Sequence, residues 1–238
     1  MRILSLQNVS KFFGKTTIID DLSLTFDESK FTCLLGSSGS GKTTILRLIA
    51  GLEKPDEGKI YFEGKLASES KNILIPPAGR ETGYIFQDLG LWPHLTVYEN
   101  IAFGLKVKKA GNTNSIISEI LSFFDILGHQ HKYPNQLSGG QQQLAAIARS
   151  LVLKPKILLM DEPLANLDVK LKSRIRDQIK DLTKSFSITI IYVTHDHQEA
   201  INLADEIVII NEGKIVEIGT PGDIRKSKNR FVKEFMEI

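Results

Sequence analysis

"FTCLLGSSGSGKTTILRLIAGL", residues 31–52, decides the fold. The opening "FTCLL" is nearly continuous apolar sequence ending at glycine, as expected of a buried strand. The closing "TILRLIAGL" has helical character. Between them lies a loop matching G-x-x-x-x-G-K-[ST], made of Gly36, Ser37, Ser38, Gly39, Ser40, Gly41, Lys42, Thr43 and Thr44. Glycines let successive backbone N–H groups turn inward around phosphate oxygens, and the helix N-terminus adds favourable partial charge. Lys42 is placed to reach the β- and γ-phosphates, and the Thr43 hydroxyl to ligate Mg²⁺. A flexible Gly/Ser linker explains the loop but not the strand before it or the helix after it. The reading is a nucleotide-binding loop.

Such a site needs an acid at the end of a second buried strand. "KILLMDE", residues 156–162, supplies one. Asp161 is expected to hold Mg²⁺ through water, and Glu162 to sit beside the γ-phosphate, where it can orient or deprotonate water. A third strand, "ITIIYVTH", ends at His195. Ligands of open α/β sheets gather at the carboxyl ends of strands. His195 is therefore a candidate donor to the γ-phosphate or the attacking water. His129, His131 and His197 lack a matching acid or cysteine pattern and read as surface residues.

Around these strands the pattern is that of one α/β domain. "RILSLQNV" and "TIIDDLSLTF" alternate with period two, and short strands recur at "KIYFEG" and "TGYIFQ". From residue 95 to 153 the period becomes 3.6, with Leu144, Ile147, Ala148 and Leu151 on one apolar face. The helix 169–186 is expected to turn Leu171, Ile175, Ile179, Leu182 and Phe186 inward. "EIVIINEGKIVEIG" reads as a hairpin turning at Asn211 to Gly213.

The 238 residues are 42% hydrophobic and 24% charged, which suits an ordinary globular core. Net charge is +2, so composition gives no nucleic-acid footprint. The single cysteine, Cys33, reads as a buried core residue in a reducing setting. No apolar run approaches the ~18–20 residues of a membrane span, and "RILSLQNVSKFF" after Met1 has no apolar h-region, so no signal peptide is expected. Work at a membrane would go through a partner.

A second glycine pair stands at "NQLSGGQQQL", residues 135–144, at the mouth of a helix and far from the first loop. Taken together, the motifs stand in one order: "GSSGSGKT", Gln87 in "IFQD", "LSGGQ", "ILLMDEP", "LANLD" and "THD". From Phe13 to about Gly219 the chain resembles the ATP-binding subunit of an ABC transporter, importer type.

The resemblance implies a P-loop NTPase (RecA-like) α/β core with an N-terminal antiparallel β subdomain and an inserted α-helical subdomain. Residues 1–238 would form one domain, with 1–87 and 156–238 as the core and 88–155 as the helical insertion. It implies ATP and Mg²⁺ as ligands, with Thr43, Gln87 and Asp161 at the metal. Glu162, His195 and Lys42 would carry hydrolysis. Ser138, Gly139, Gly140 and Gln141 would close over ATP held by a second subunit, identical or paralogous, and Asp168 would lie at the dimer seam. Phe13 sits where an aromatic stacks on adenine, with Phe12 as competitor and the core as the other place for either. Leu144 replaces the arginine usual after "LSGGQQQ". It fits the apolar face but removes any ion pair the arginine makes.

Residues 89–105 resemble the segment that grips a permease. Trp92, Leu95, Val97 and Phe103 would line a groove for a short permease helix or, alternatively, pack the helical subdomain, Phe103 above all. The implied setting is the cytoplasmic face of the cell membrane, peripheral through permease subunits served by a solute-binding protein, without nucleic acid. A regulatory domain often follows in such importers, and with the chain stopping near Ile238 that regulation is expected to be absent. An export ATPase shares the catalytic motifs. A soluble ABC ATPase of translation or DNA repair would carry two cassettes or a coiled-coil insertion.

Overall fold

The computed structural model describes residues 1–165 and 167–237. Asn166 of the "LANLD" stretch and Ile238 of the expected domain lie outside the described residues. Two sheets face each other across one helix. The first is antiparallel and joins β1 (Arg2–Phe13), β2 (Thr16–Asp27), β4 (Glu57–Phe62), β5 (Lys65–Glu69) and β6 (Asn72–Ile73) in the order β2-β1-β4-β5-β6. The second runs β11-β10-β3-β9-β8-β7. It is built from β3 (Phe31–Leu35), β7 (Thr82–Ile85), β8 (Ile157–Asp161), β9 (Thr189–Thr194), β10 (Glu206–Asn211) and β11 (Lys214–Gly219). Its strands are parallel except at the β10–β11 hairpin, whose two-residue turn is Glu212-Gly213, both at positive φ.

Every residue of β3, β8 and β9 is buried, as parallel strands covered on both faces require. Alternation along them divides the core. Leu34, Leu159, Ile191 and Val193 pack with the antiparallel sheet and with α1 (Lys42–Ala50), whereas Cys33, Leu158, Met160 and Ile190 pack with the remaining helices. Sandwiched between sheets, α1 is apolar on most of its surface. Its C-terminal end is closed by Arg80, only 3% exposed, whose guanidinium donates to the carbonyls of Leu48, Ile49 and Ile75. Burial lowers the Arg80 pKa to about 10.

The helical block comprises α2 (Val97–Val107), α3 (Thr113–Phe123) and α4 (Gly139–Leu151). It sits between β7 and β8 in sequence and packs through Leu144, Ile147, Ala148 and Leu151. After it come α5 (Val169–Phe186), α6 (His197–Leu203), α7 (Pro221–Arg225) and α8 (Arg230–Met236).

Three sequence expectations need correction. Phe186 does not turn fully inward: at the last turn of α5 it is 40% exposed, with its ring edge-on to Phe123 at 5.1 Å. Val97 does not face a groove but is 1% exposed in the core, because the first turn of α2 points its apolar face inward. His129 and His197 are not plain surface residues: each is half-buried, and the His197 ring packs edge-on against Phe235 at 4.6 Å.

Candidate active site

The first glycine loop joins β3 to α1. Gly41 caps α1 at φ 101, and a Cβ there would lie 2.6 Å from Ile19 Cδ1 and 2.9 Å from the Ile18 carbonyl. Only glycine meets both demands. Lys42 is 5% exposed, and its ammonium donates to the carbonyls of Gly36 and Ser37, both at 2.8 Å. Burial lowers its pKa, opposed by the charges of Glu162 and Asp161. These carbonyls give the charge a resting place from which it can turn to a phosphate.

The strand order β3-β9-β8 sets three carboxyl ends side by side. Asp161, at the end of β8, is 5% exposed and accepts from the Thr43 hydroxyl at 2.8 Å and the Tyr84 hydroxyl at 3.2 Å. Burial raises its pKa, while those two hydrogen bonds lower it. A hydroxyl and a carboxylate facing each other are the hard-oxygen donor set that suits Mg²⁺, so these residues fit the ion. Glu162 follows, with φ 45, an unusual backbone for glutamate, and its amide donates to the Val193 carbonyl at 3.0 Å. His195 Nδ1 lies 3.1 Å from Glu162 Oε2. Gln87 is exposed in the turn just after β7.

At the second glycine pair, Ser138 is the N-cap of α4. It forms a reciprocal box with Gln141, whose Oε1 accepts from the Ser138 amide at 3.0 Å. Gly139 is exposed. Gly140 is buried, and a Cβ on it would meet the Leu171 side chain at 2.6 Å. Gly140 therefore serves the packing of α4 on α5 as well as the loop. No hydrogen bond among the described residues joins this stretch to the first loop. Asp168 is exposed and caps α5 by accepting from the Leu171 amide at 3.0 Å. Phe12 is 37% exposed and Phe13 50%, so neither is core. Lys11 Nζ stands 5.2 Å from the Phe13 ring centroid.

Beside the turn carrying Gln87, a groove of 560 Å³ is lined by Phe86, Gly90, Trp92, Phe103, Val107 and Leu153. The Trp92 and Phe103 rings are 4.7 Å apart, and Phe103 is 49% exposed, so it lines the groove instead of packing the interior. Leu95 is half-buried and outside it.

Three residues that sequence reasoning missed hold this region. Asn100, fully buried, donates to the carbonyls of Trp92, Leu95 and Thr96. Arg149 donates from α4 to the carbonyls of Leu89 and Gly90 and stacks over Trp92. Tyr84 braces Asp161. An arginine and an asparagine interrupting apolar helical faces were the available signals.

A phosphate loop, an acid and a glutamate–histidine pair at neighbouring strand ends define a P-loop nucleotide-binding protein. Known proteins narrow the class. The ABC transporter family pattern matches residues 19–165. The chain is 44% identical over 234 residues to the Fe(3+) ions import ATP-binding protein FbpC of Escherichia coli O157:H7, covering 97% of this chain and 66% of that protein. It is 43% identical over 234 residues to a probable sulfate/thiosulfate import ATP-binding protein CysA of Chlorella vulgaris, covering 97% of each. Among solved structures, the dimeric bacterial ABC transporter cassette MJ0796 superposes with a TM-score of 0.81 at 31% identity, over 92% of this chain and 99% of that one. The chain belongs to the ABC transporter family, as an ATP-binding cassette. It spans about two thirds of the length of the iron-import relatives, 66% for the Escherichia coli protein.

Among the described residues no helix is long and apolar enough to cross a membrane.

Proposed function

We propose that the chain binds and hydrolyses ATP in a head-to-tail dimer and thereby drives import through a partner permease. The observation that carries this is the convergence of Lys42, Thr43, Asp161, Glu162 and His195 at the carboxyl ends of β3, β8 and β9. Water attacks the γ-phosphate in line, and Glu162 takes its proton. Lys42 leaves its carbonyls for the β- and γ-oxygens, and His195 keeps the Glu162 carboxylate in place. Thr43 and Asp161, with Gln87, would hold Mg²⁺, which supplies charge neutralisation of the phosphates.

Ser138 to Gln141 open a helix N-terminus, a ready anion site, and reach the ATP of the second subunit, with Asp168 at the seam. A related MJ0796 structure is a dimer in a post-hydrolysis state bound to ADP and Pi, which supports this reading. Residues 88–155 move as a unit on Gln87, with Arg149 tying its turn to α4. The groove at Trp92 and Phe103 receives the permease, holding the cassette at the cytoplasmic face. Relatives named for iron, spermidine/putrescine and sulfate import differ little in identity to this chain, 44%, 44% and 43%. That near-equality supports solute choice lying outside the cassette, in the permease and a solute-binding protein.

Because two chains complete each site, phosphate release per chain should rise with protein concentration at saturating ATP and Mg²⁺. A rate per chain that stays constant on dilution would remove the shared site. Of the two exposed aromatics, Phe13 stacks on adenine. Phe13→Ala is expected to weaken ATP binding by about 1–3 kcal/mol, the usual worth of a base–aromatic stack, with Phe12→Ala near parent in the same titration. The reverse order would assign the stack to Phe12.

A further inference from the structure

The second glycine loop carries a contact that its motif does not require. Gln141 Nε2 lies 2.9 Å from Nε2 of His129, and His129 Nδ1 is buried with no hydrogen-bond partner among the described residues. The proton positions follow from one fixed donor. The Ser138 backbone N–H can only donate, so the Gln141 atom facing it at 3.0 Å is the carbonyl oxygen. The Gln141 amide nitrogen must then face His129. An amide nitrogen donates, so His129 Nε2 accepts, and the ring proton sits on Nδ1, where no described residue receives it.

A buried N–H without a partner is unfavourable, and an apolar side chain would avoid it. The feature that offsets it is the acceptor at Nε2. The backbone that carries the ring is held firmly: His129 closes the 3₁₀ turn Leu127–His129, its amide donates to the Ile126 carbonyl, and the carbonyls of Gln130 and Lys132 accept the amides of Tyr98 and Val97 at the start of α2. A fixed acceptor thus locks the Gln141 carboxamide in the one rotamer that caps Ser138.

We propose that His129 is a positioning residue for the Ser138–Gln141 loop, acting through Gln141 to preset the helix mouth that receives the second subunit's ATP. The proposal rests on the shared-site reading above.

The test uses the full chain in a Glu162→Gln background, comparing His129→Leu, which removes the acceptor, with His129→Gln, which restores one. Two readouts are taken: the dissociation constant of the ATP-driven dimer, and hydrogen exchange at the Ser138 amide in the ATP-free monomer. Loss of one hydrogen bond predicts that His129→Leu weakens the dimer and speeds Ser138 exchange, each about tenfold. His129→Gln should recover both to within about twofold. Unchanged exchange in His129→Leu, or a glutamine variant no better than leucine, would overturn the proposal. If Glu162→Gln alone never dimerises, the shared-site reading fails instead, and Ser138 exchange by itself decides the role of His129.

Discussion

Glu162→Gln lowers steady-state ATP hydrolysis by about 10²–10⁴-fold, the range set by loss of a positioned general base. The substitution keeps the shape of the side chain and its hydrogen bond to His195, but a carboxamide cannot take a proton from water. Its surroundings give little freedom to compensate. The side chain is 18% exposed, the backbone sits at φ 45, and the amide is tied to Val193 on the neighbouring strand. Non-glycine residues in this region persist where the surrounding structure over-determines them, often at functional sites. ATP still binds, because Lys42 and the loop amides are untouched. Phosphate release by the purified variant is the check, and a parent-like rate would assign the base elsewhere.

Ser138→Arg is the second large effect. Serine 138 has the extended N-cap backbone, φ −67 and ψ 158, and an exposed position at the mouth of α4. Losing its hydroxyl costs the helix about 0.5–2 kcal/mol, within what the packed apolar face of α4 can sustain. The larger consequence is steric. A guanidinium stem occupies the space in which a second subunit's phosphate must approach the helix amides. ATP-driven association should weaken by about 2–4 kcal/mol, the scale of a central interface residue. The first loop is remote in the hydrogen-bond network, so labelled-nucleotide binding to the single subunit stays intact.

Much of this arrangement is legible in residues alone because local chemistry fixes it. The strand before Gly36, the helix after Lys42 and the acid ending "ILLM" each carry their own pattern. Leu144 fits the apolar face at 5% exposure, so the helix tolerates the missing arginine. What escaped the sequence depends on partners distant in the chain. Arg80 caps α1 from more than thirty residues on. Arg149 reaches carbonyls about sixty residues back. No period announces either contact. Strands β5 and β6 were missed because they are short and polar, and α7 and α8 because each spans at most seven residues. Phe186 misled because helical spacing puts an apolar residue on a face without saying how deeply the last turn of that face is covered, and here it stays 40% exposed.

The most direct test of the shared site is the mass in solution of Glu162→Gln, with and without ATP and Mg²⁺. The account predicts a monomer that becomes a dimer only with ATP, and a dimer that disappears when Ser138→Arg is added. A monomer that persists while ATP is demonstrably bound, or a dimer indifferent to Ser138, would contradict it.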